Sequence, residues 1–170
     1  MSDTKSNNQP YRGYISIGSN IQPFVNIPKA IEWLSTKTKL EAISSFWLGP
    51  AIGPKAPDFV NGAVCFSTPL TIGQLKTNVL RPIEDKLGRK RDADKFAPRP
   101  MDLDILVFDN EVIEPEVWDR AYLAIPLAEL IPDLSHPQSK KTISQFVAHL
   151  NKESKLQKVS ISVASTPTNK

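Results

Sequence analysis

Residues 101–108 read Met-Asp-Leu-Asp-Ile-Leu-Val-Phe, the strongest strand signal in the chain. Side chains alternate along a strand, so Asp102 and Asp104 face one way, about 6.5–7 Å apart at Cα. Leu103, Ile105 and Val107 are expected on the opposite face, where they can bury. Asp is disfavoured in strands. Two on one face repel each other and lose hydration unless a cation lies between them. A divalent ion meets that need, and Mg²⁺ is typically held by one or two carboxylates together with water and phosphate oxygens.

The segment just upstream is the chemical opposite. Residues 86–99 carry six basic and two acidic side chains, more than the net charge of +3 on all 170 residues. The basic excess is therefore one short loop beside the acidic pair. Arginine suits bidentate recognition of phosphate oxygens and is always charged, so Arg89, Arg91 and Arg99 next to Asp102 and Asp104 describe a phosphoryl-transfer site. Neither the G-x-x-x-x-G-K-[ST] phosphate loop nor a kinase glycine loop occurs. An RNA-binding module built on the same basic run is disfavoured, because the two aspartates repel a phosphate backbone unless metal is present.

Elements to hold such a site can be read along the chain. Residues 11–18 form a first strand, with Gly18-Ser19-Asn20 as a turn. A helix is expected over residues 27–39, with Asn26 as its cap and Pro28 in its first turn. Strands are expected at 40–48 and 58–68, separated by a Gly/Pro-rich loop. A second helix over 71–87 contains Pro82, which should kink or break it. After the 101–108 strand come a turn at Asp109-Asn110, a short return at 111–113, short helices at 127–130 and 142–150, and an edge strand at 159–163. The order strand, helix, strand, strand, helix, strand is that of an α+β, ferredoxin-like split βαβ sandwich, an antiparallel-rich sheet with helices packed mainly on one face. Residues 1–10 are expected to be disordered, 11–163 to form one domain, and 164–170 a flexible tail.

Composition narrows the setting. No run of about 18 apolar residues is present to span a membrane. The polar start does not read as a secretory signal, and the single Cys65 cannot form an internal disulfide or a Cys-based zinc site. A cytoplasmic protein is expected, with no nucleic-acid or membrane partner. One further pair stands out: Phe59 and Asn61 share a strand face, placing a stacking ring beside an amide, as a flat heterocycle requires.

Together these pieces resemble the 6-hydroxymethyl-7,8-dihydropterin pyrophosphokinase family. The strongest match is Lys95–Leu106, KFAPRPMDLDIL. Supporting it are Tyr14–Asn20, Ser44–Phe46, Gly53-Pro54, Pro57–Asn61, Ile83-Glu84 with Gly88–Arg91, and a Pro-Leu-x-Glu at Pro126–Glu129. The resemblance implies transfer of pyrophosphate from ATP to the pterin hydroxymethyl, with release of AMP. It implies that Asp102 and Asp104 hold two Mg²⁺ ions, and that Arg89, Arg99 and Asp102 are catalytic. It places Glu84, Arg89, Arg91, Arg99, Ile105 and Arg120 at ATP. It places Gly49, Pro50, Ile52, Phe59, Asn61, Asp102 and Tyr122 at the pterin, in a protein expected to act as a monomer on these small molecules. The chain departs from the family between Ile113 and Pro126, where a Pro-His pair and its neighbours are missing. Phe96 stands where Trp is common, and Asp92 where a basic residue is common. Tyr122 stands in for the second ring of the pterin site. The shortened connection motivates an alternative reading, a divergent homologue that acts on, or merely binds, a related reduced pterin.

Overall fold

The computed structural model describes residues 9–52, 56–91, 94 and 96–163. The expected disorder at 1–8, the tail at 164–170, and the matches at Gly53, Pro54, Asp92 and Lys95 lie outside the described residues.

Strand β1 (Tyr11–Ser19) leads into α1 (Pro23–Lys37). The helix starts four residues earlier than its periodicity suggests, because Gln22 adopts a left-handed conformation (φ 44°) that turns the chain into Pro23. Pro23 takes the first-turn place expected for Pro28. Asn26 is not the cap; its Nδ2 donates to the Ile21 carbonyl at 2.7 Å. The strand expected at 40–48 is two, β2 (Lys39–Ile43) and β3 (Phe46–Gly49). Both pair with β4 (Phe59–Thr68). The break falls at Ser44, whose hydroxyl takes the Ala63 N–H at 2.8 Å, while its own N–H donates to the Ala63 carbonyl at 2.9 Å.

Pro82 does not stop the second helix. The run comprises α2 (Ile72–Leu75), a π turn at Lys76–Leu80, and α3 (Arg81–Lys86). In the widened turn the Arg81 N–H reaches five residues back to the Lys76 carbonyl. Pro82 thereby falls at the start of α3, where its missing N–H costs little. Strand β5 (Asp102–Phe108) and β6 (Glu111–Val112) form a hairpin through Asp109 and Asn110, both at positive φ, as a two-residue turn requires. A 3-10 turn at Pro115–Trp118 precedes α4 (Ala121–Leu130), which begins six residues before the expected 127. Then come α5 (Ile143–Glu153), capped reciprocally by Thr142 and Gln145, and β7. Strand β7 (Gln157–Val159) lies upstream of the expected 159–163 and pairs with β3.

The sheet runs β6-β5-β1-β4-β3-β7, with every pairing antiparallel and β2 also on β4. Counting β2 and β3 as one broken strand gives the 4-1-3-2 order of a ferredoxin-like sandwich. The main core packs α1 and the α2–α3 run on the face carrying Ile15, Ile17, Val60, Val64, Phe66, Leu103 and Ile105. Val107 is not with them. Tyr14 pairs with Val107 but Ile15 pairs with Ile105, so Leu106 is an extra residue in a β-bulge. Leu106 and Val107 both join a second cluster under α4 and α5, with Tyr14, Cys65, Leu123 and Ile143. That cluster covers one end of the second face. The other end carries Ser16, Gly18, Asn61, Asp102 and Asp104. No helix among the described residues is long and apolar enough to cross a membrane.

Candidate active site

Asp102 opens β5 with both carboxylate oxygens engaged. Oδ1 accepts from Arg89 Nη1 at 2.9 Å and Oδ2 from Arg99 Nη1 at 2.8 Å. Each arginine is delivered by local backbone structure. Gly88, at φ 92°, ends α3: its N–H donates to the Asp85 carbonyl, and the Arg89 N–H donates to the Glu84 carbonyl at 3.0 Å. This is a Schellman motif, which needs the left-handed residue that glycine supplies. Arg99 is set by Asn20, which is buried and bonds across the loop. The Arg99 N–H donates to Asn20 Oδ1 at 2.7 Å, and the Asn20 N–H donates to the Arg99 carbonyl at 3.1 Å.

Glu84, only 4% exposed, is the keystone beneath them. Its Oε1 accepts from Arg89 Nη1 at 2.5 Å and from the Leu103 N–H at 2.9 Å; Oε2 accepts from Arg91 Nη2 at 3.0 Å. Arg91 also pairs with Asp85. Burial pushes the Glu84 carboxyl above its ordinary value, against the pull of the Leu103 N–H and Arg89. One buried acid thus ties α3, the arginine loop and β5 together.

Three hollows meet here. The first, about 340 Å³, is lined by Pro50, Ile52, Phe59, Asn61, Tyr122 and Phe96, with Asp102, Arg99, Glu116 and Arg120 among its polar walls. Burial raises the Tyr122 phenol above its ordinary value. The second is a recess of about 70 Å³ holding Ser16, Gly18, Asp102, Asp104, Glu114 and Glu116. Solvent reaches Asp104, yet the protein surrounds its carboxyl. This desolvation, then the charges of Asp102 and Glu84, push it up to about 7. The third, about 400 Å³, has Leu80, Ile105 and Ile113 as apolar lining and is rimmed by Glu84, Arg89, Arg91, Asp104, Lys76 and Arg81.

Of the residues expected at the pterin, Pro50, Ile52, Phe59, Asn61, Asp102 and Tyr122 come together in the first hollow. Gly49 does not line it. Gly49 pairs with Phe59, and a Cβ there would come within 2.2 Å of Leu156 Cδ2. Of the residues expected at ATP, Glu84, Arg89, Arg91 and Ile105 line the third hollow, whereas Arg99 and Arg120 line the first. Sequence reasoning missed Asn20, Ser16, Glu116, Lys76 and Arg81. The available signal for Glu116 was its place four residues before Arg120, with which it pairs at 3.7 Å.

The pair Asp102 and Asp104 suits a hard cation by chemistry. Both are oxygen donors on one sheet face, and the crowding that raises Asp104 is what a divalent charge relieves. Among the described residues no three His, Cys, Asp or Glu side chains gather as a metal site. The donors present match Mg²⁺ shared with phosphate oxygens.

An acidic pair bracketed by arginines, between an aromatic hollow and a second one with apolar lining, is an arrangement suited to a transferase of phosphate groups on a ferredoxin-like scaffold. Residues 14–132 match the family model described as 7,8-dihydro-6-hydroxymethylpterin-pyrophosphokinase (HPPK), and the chain belongs to that family. It is similar to the 2-amino-4-hydroxy-6-hydroxymethyldihydropteridine pyrophosphokinase of Synechocystis sp., at 32% identity over 89% of this chain and 82% of that protein. The protein of the same name from Pseudomonas aeruginosa is 33% identical over 76% of this chain and 86% of its own length. In fold, the chain is similar to a Plasmodium falciparum HPPK-DHPS crystal structure, with a TM-score of 0.68 and 10% identity. That match covers 88% of this chain and 47% of the longer one.

Proposed function

We infer that this chain carries out the reaction of its family, transfer of pyrophosphate from ATP to 6-hydroxymethyl-7,8-dihydropterin in folate synthesis. The hydroxymethyl oxygen bonds to the β-phosphorus, the bond from that phosphorus to the α-phosphate oxygen breaks, and AMP leaves. The observation that carries the assignment is Asp102, held by Arg89 at 2.9 Å and Arg99 at 2.8 Å on a wall shared by the aromatic hollow and the acidic recess.

The pterin ring lies in the first hollow between Phe59 and Tyr122, with the Asn61 amide at its edge. The nucleoside end of ATP lies in the third hollow over Ile105. The phosphates run between the two, past Arg89 and Arg99, which bind the transferring group and oppose the charge that develops on it. Asp102, reaching both sides, orients the hydroxymethyl oxygen. Glu84 has both oxygens engaged and holds Arg89 and Arg91 in place. Asp102 and Asp104 would hold Mg²⁺, two ions in this reading, which supplies charge neutralisation of the phosphates when bound.

The test is chromatographic. ATP, Mg²⁺ and 6-hydroxymethyl-7,8-dihydropterin are expected to yield AMP and the pterin diphosphate. If no AMP forms above the level of Asp104→Ala, this reading is wrong.

A further inference from the structure

Two cations on the third hollow have no place in the scheme above. Lys76 and Arg81 are exposed residues on the helical run that forms one wall, and both line the hollow. Among the described residues neither side chain has a hydrogen-bond or ion-pair partner. The other basic residues of this hollow are committed: Arg89 to Glu84 and Asp102, Arg91 to Glu84 and Asp85. Lys76 and Arg81 are therefore its unspent donors.

Their placement follows from the π turn. In a regular α-helix, residues five apart are rotated by about 140° and cannot share a wall. Here the Arg81 N–H bonds the Lys76 carbonyl five residues back, so the two residues stack along the axis as i and i+4 do in an α-helix. Turns of this kind concentrate at functional sites. The turn that accommodates Pro82 thus also brings both cations to the hollow. Below them lie Leu80, Leu103, Ile105 and Ile113, a largely apolar floor suited to a base. Asp104 lines the same hollow and also borders the acidic recess.

We propose that Lys76 and Arg81 form a second cationic rim that binds the nucleoside end of ATP, through base and ribose acceptors, and so set nucleotide affinity without taking part in transfer. This rests on the assignment of the third hollow to the nucleotide. Arginine and lysine are donors only. Arginine can in addition lie flat against a ring as a cation on its π face.

The experiment measures binding by calorimetry with α,β-methylene-ATP and, separately, inorganic tripolyphosphate, both with Mg²⁺, alongside steady-state turnover. Lys76→Gln with Arg81→Gln keeps the stems and helix propensity, and a melting temperature within error of the parent confirms the fold. The double variant is expected to weaken the analogue about tenfold or more and raise KM for ATP similarly, with kcat and tripolyphosphate binding held within about twofold. Arg81→Lys in the parent background should retain most of the affinity if the charge alone suffices, and lose it if the planar guanidinium stacks. An unchanged analogue affinity overturns the proposal. So does an equal loss for tripolyphosphate, which would put both cations on the phosphates. Failure of the broader reading looks different: the parent itself makes no AMP.

Discussion

Asn20 and Arg99, 79 positions apart, exchange two hydrogen bonds. The Arg99 N–H donates to Asn20 Oδ1 at 2.7 Å, and the Arg99 carbonyl accepts from the Asn20 N–H at 3.1 Å. Asn20 Nδ2 also donates to the Pro57 carbonyl at 3.3 Å, joining the end of β1 to both loops that border the aromatic hollow. Asn20 is therefore a positioning residue for the guanidinium on Asp102. Asn20→Ala should lower kcat by about 10- to 100-fold, the scale of small misplacements in an active site. Asn20→Asp, which keeps the acceptor, should recover part of that loss. Comparing kcat for the two variants checks this.

Arg99 itself approaches Asp102 from the cavity side. If its role lies in transfer, Arg99→Ala should reduce kcat far more than pterin affinity. Steady-state kinetics with calorimetric pterin binding separate the two. An equal loss in both would remove the assignment.

Glu84 is buried and accepts three hydrogen bonds, one of them from the backbone of β5 at Leu103. Glu84→Ala strips the partner from a buried N–H and frees two arginines. It should cost about 2–4 kcal/mol, read from urea unfolding. Glu84→Gln keeps one acceptor and should cost less. The loss of activity should exceed that expected from stability alone, because both arginines lose their anchor.

Gly18 pairs with Asn61 on one side and Asp102 on the other. A Cβ at residue 18 would come within 2.5 Å of Asn61 Oδ1, so the amide must shift from its place in the cavity wall. Gly18→Ala should therefore raise the pterin dissociation constant about tenfold with little change in ATP affinity, measured by titration of each ligand. Equal effects on both ligands would exclude this role for Gly18.

Asp104 makes stability depend on pH in a definite direction. Its folded pKa, about 7, lies above the ordinary carboxylate value of 3.8, so the folded state holds the proton more tightly than the unfolded state. The stabilisation is complete below about pH 4 and is lost as pH rises to about 7. Glu84, also raised, acts in the same direction. Metal-free protein should accordingly lose melting temperature over this window, and Asp104→Asn should flatten the slope. Mg²⁺ competes with the proton, so it should raise the melting temperature at about pH 8 and do little at about pH 5.5. A metal effect independent of pH would contradict this account.

The sequence alone determined what depends on near neighbours. Alternation in Met101–Phe108 placed Asp102 and Asp104 on one face, the order of apolar periods set the ferredoxin-like arrangement, and a short helix was legible from residue 142 onward. Each is a property of a few consecutive residues, because strand and helix periods are local geometry. The tertiary structure decided the rest. Gln22 and Pro23, not Asn26 and Pro28, start α1; a bulge opposite Tyr14–Ile15 moves Val107 to the far face; a π turn carries the helix through Pro82. Burial of Glu84, the clasp between Asn20 and Arg99, and the gathering of Glu116, Lys76 and Arg81 around the hollows all require segments remote in sequence to meet. Such contacts are settled by packing and long-range hydrogen bonding, which local patterns do not encode.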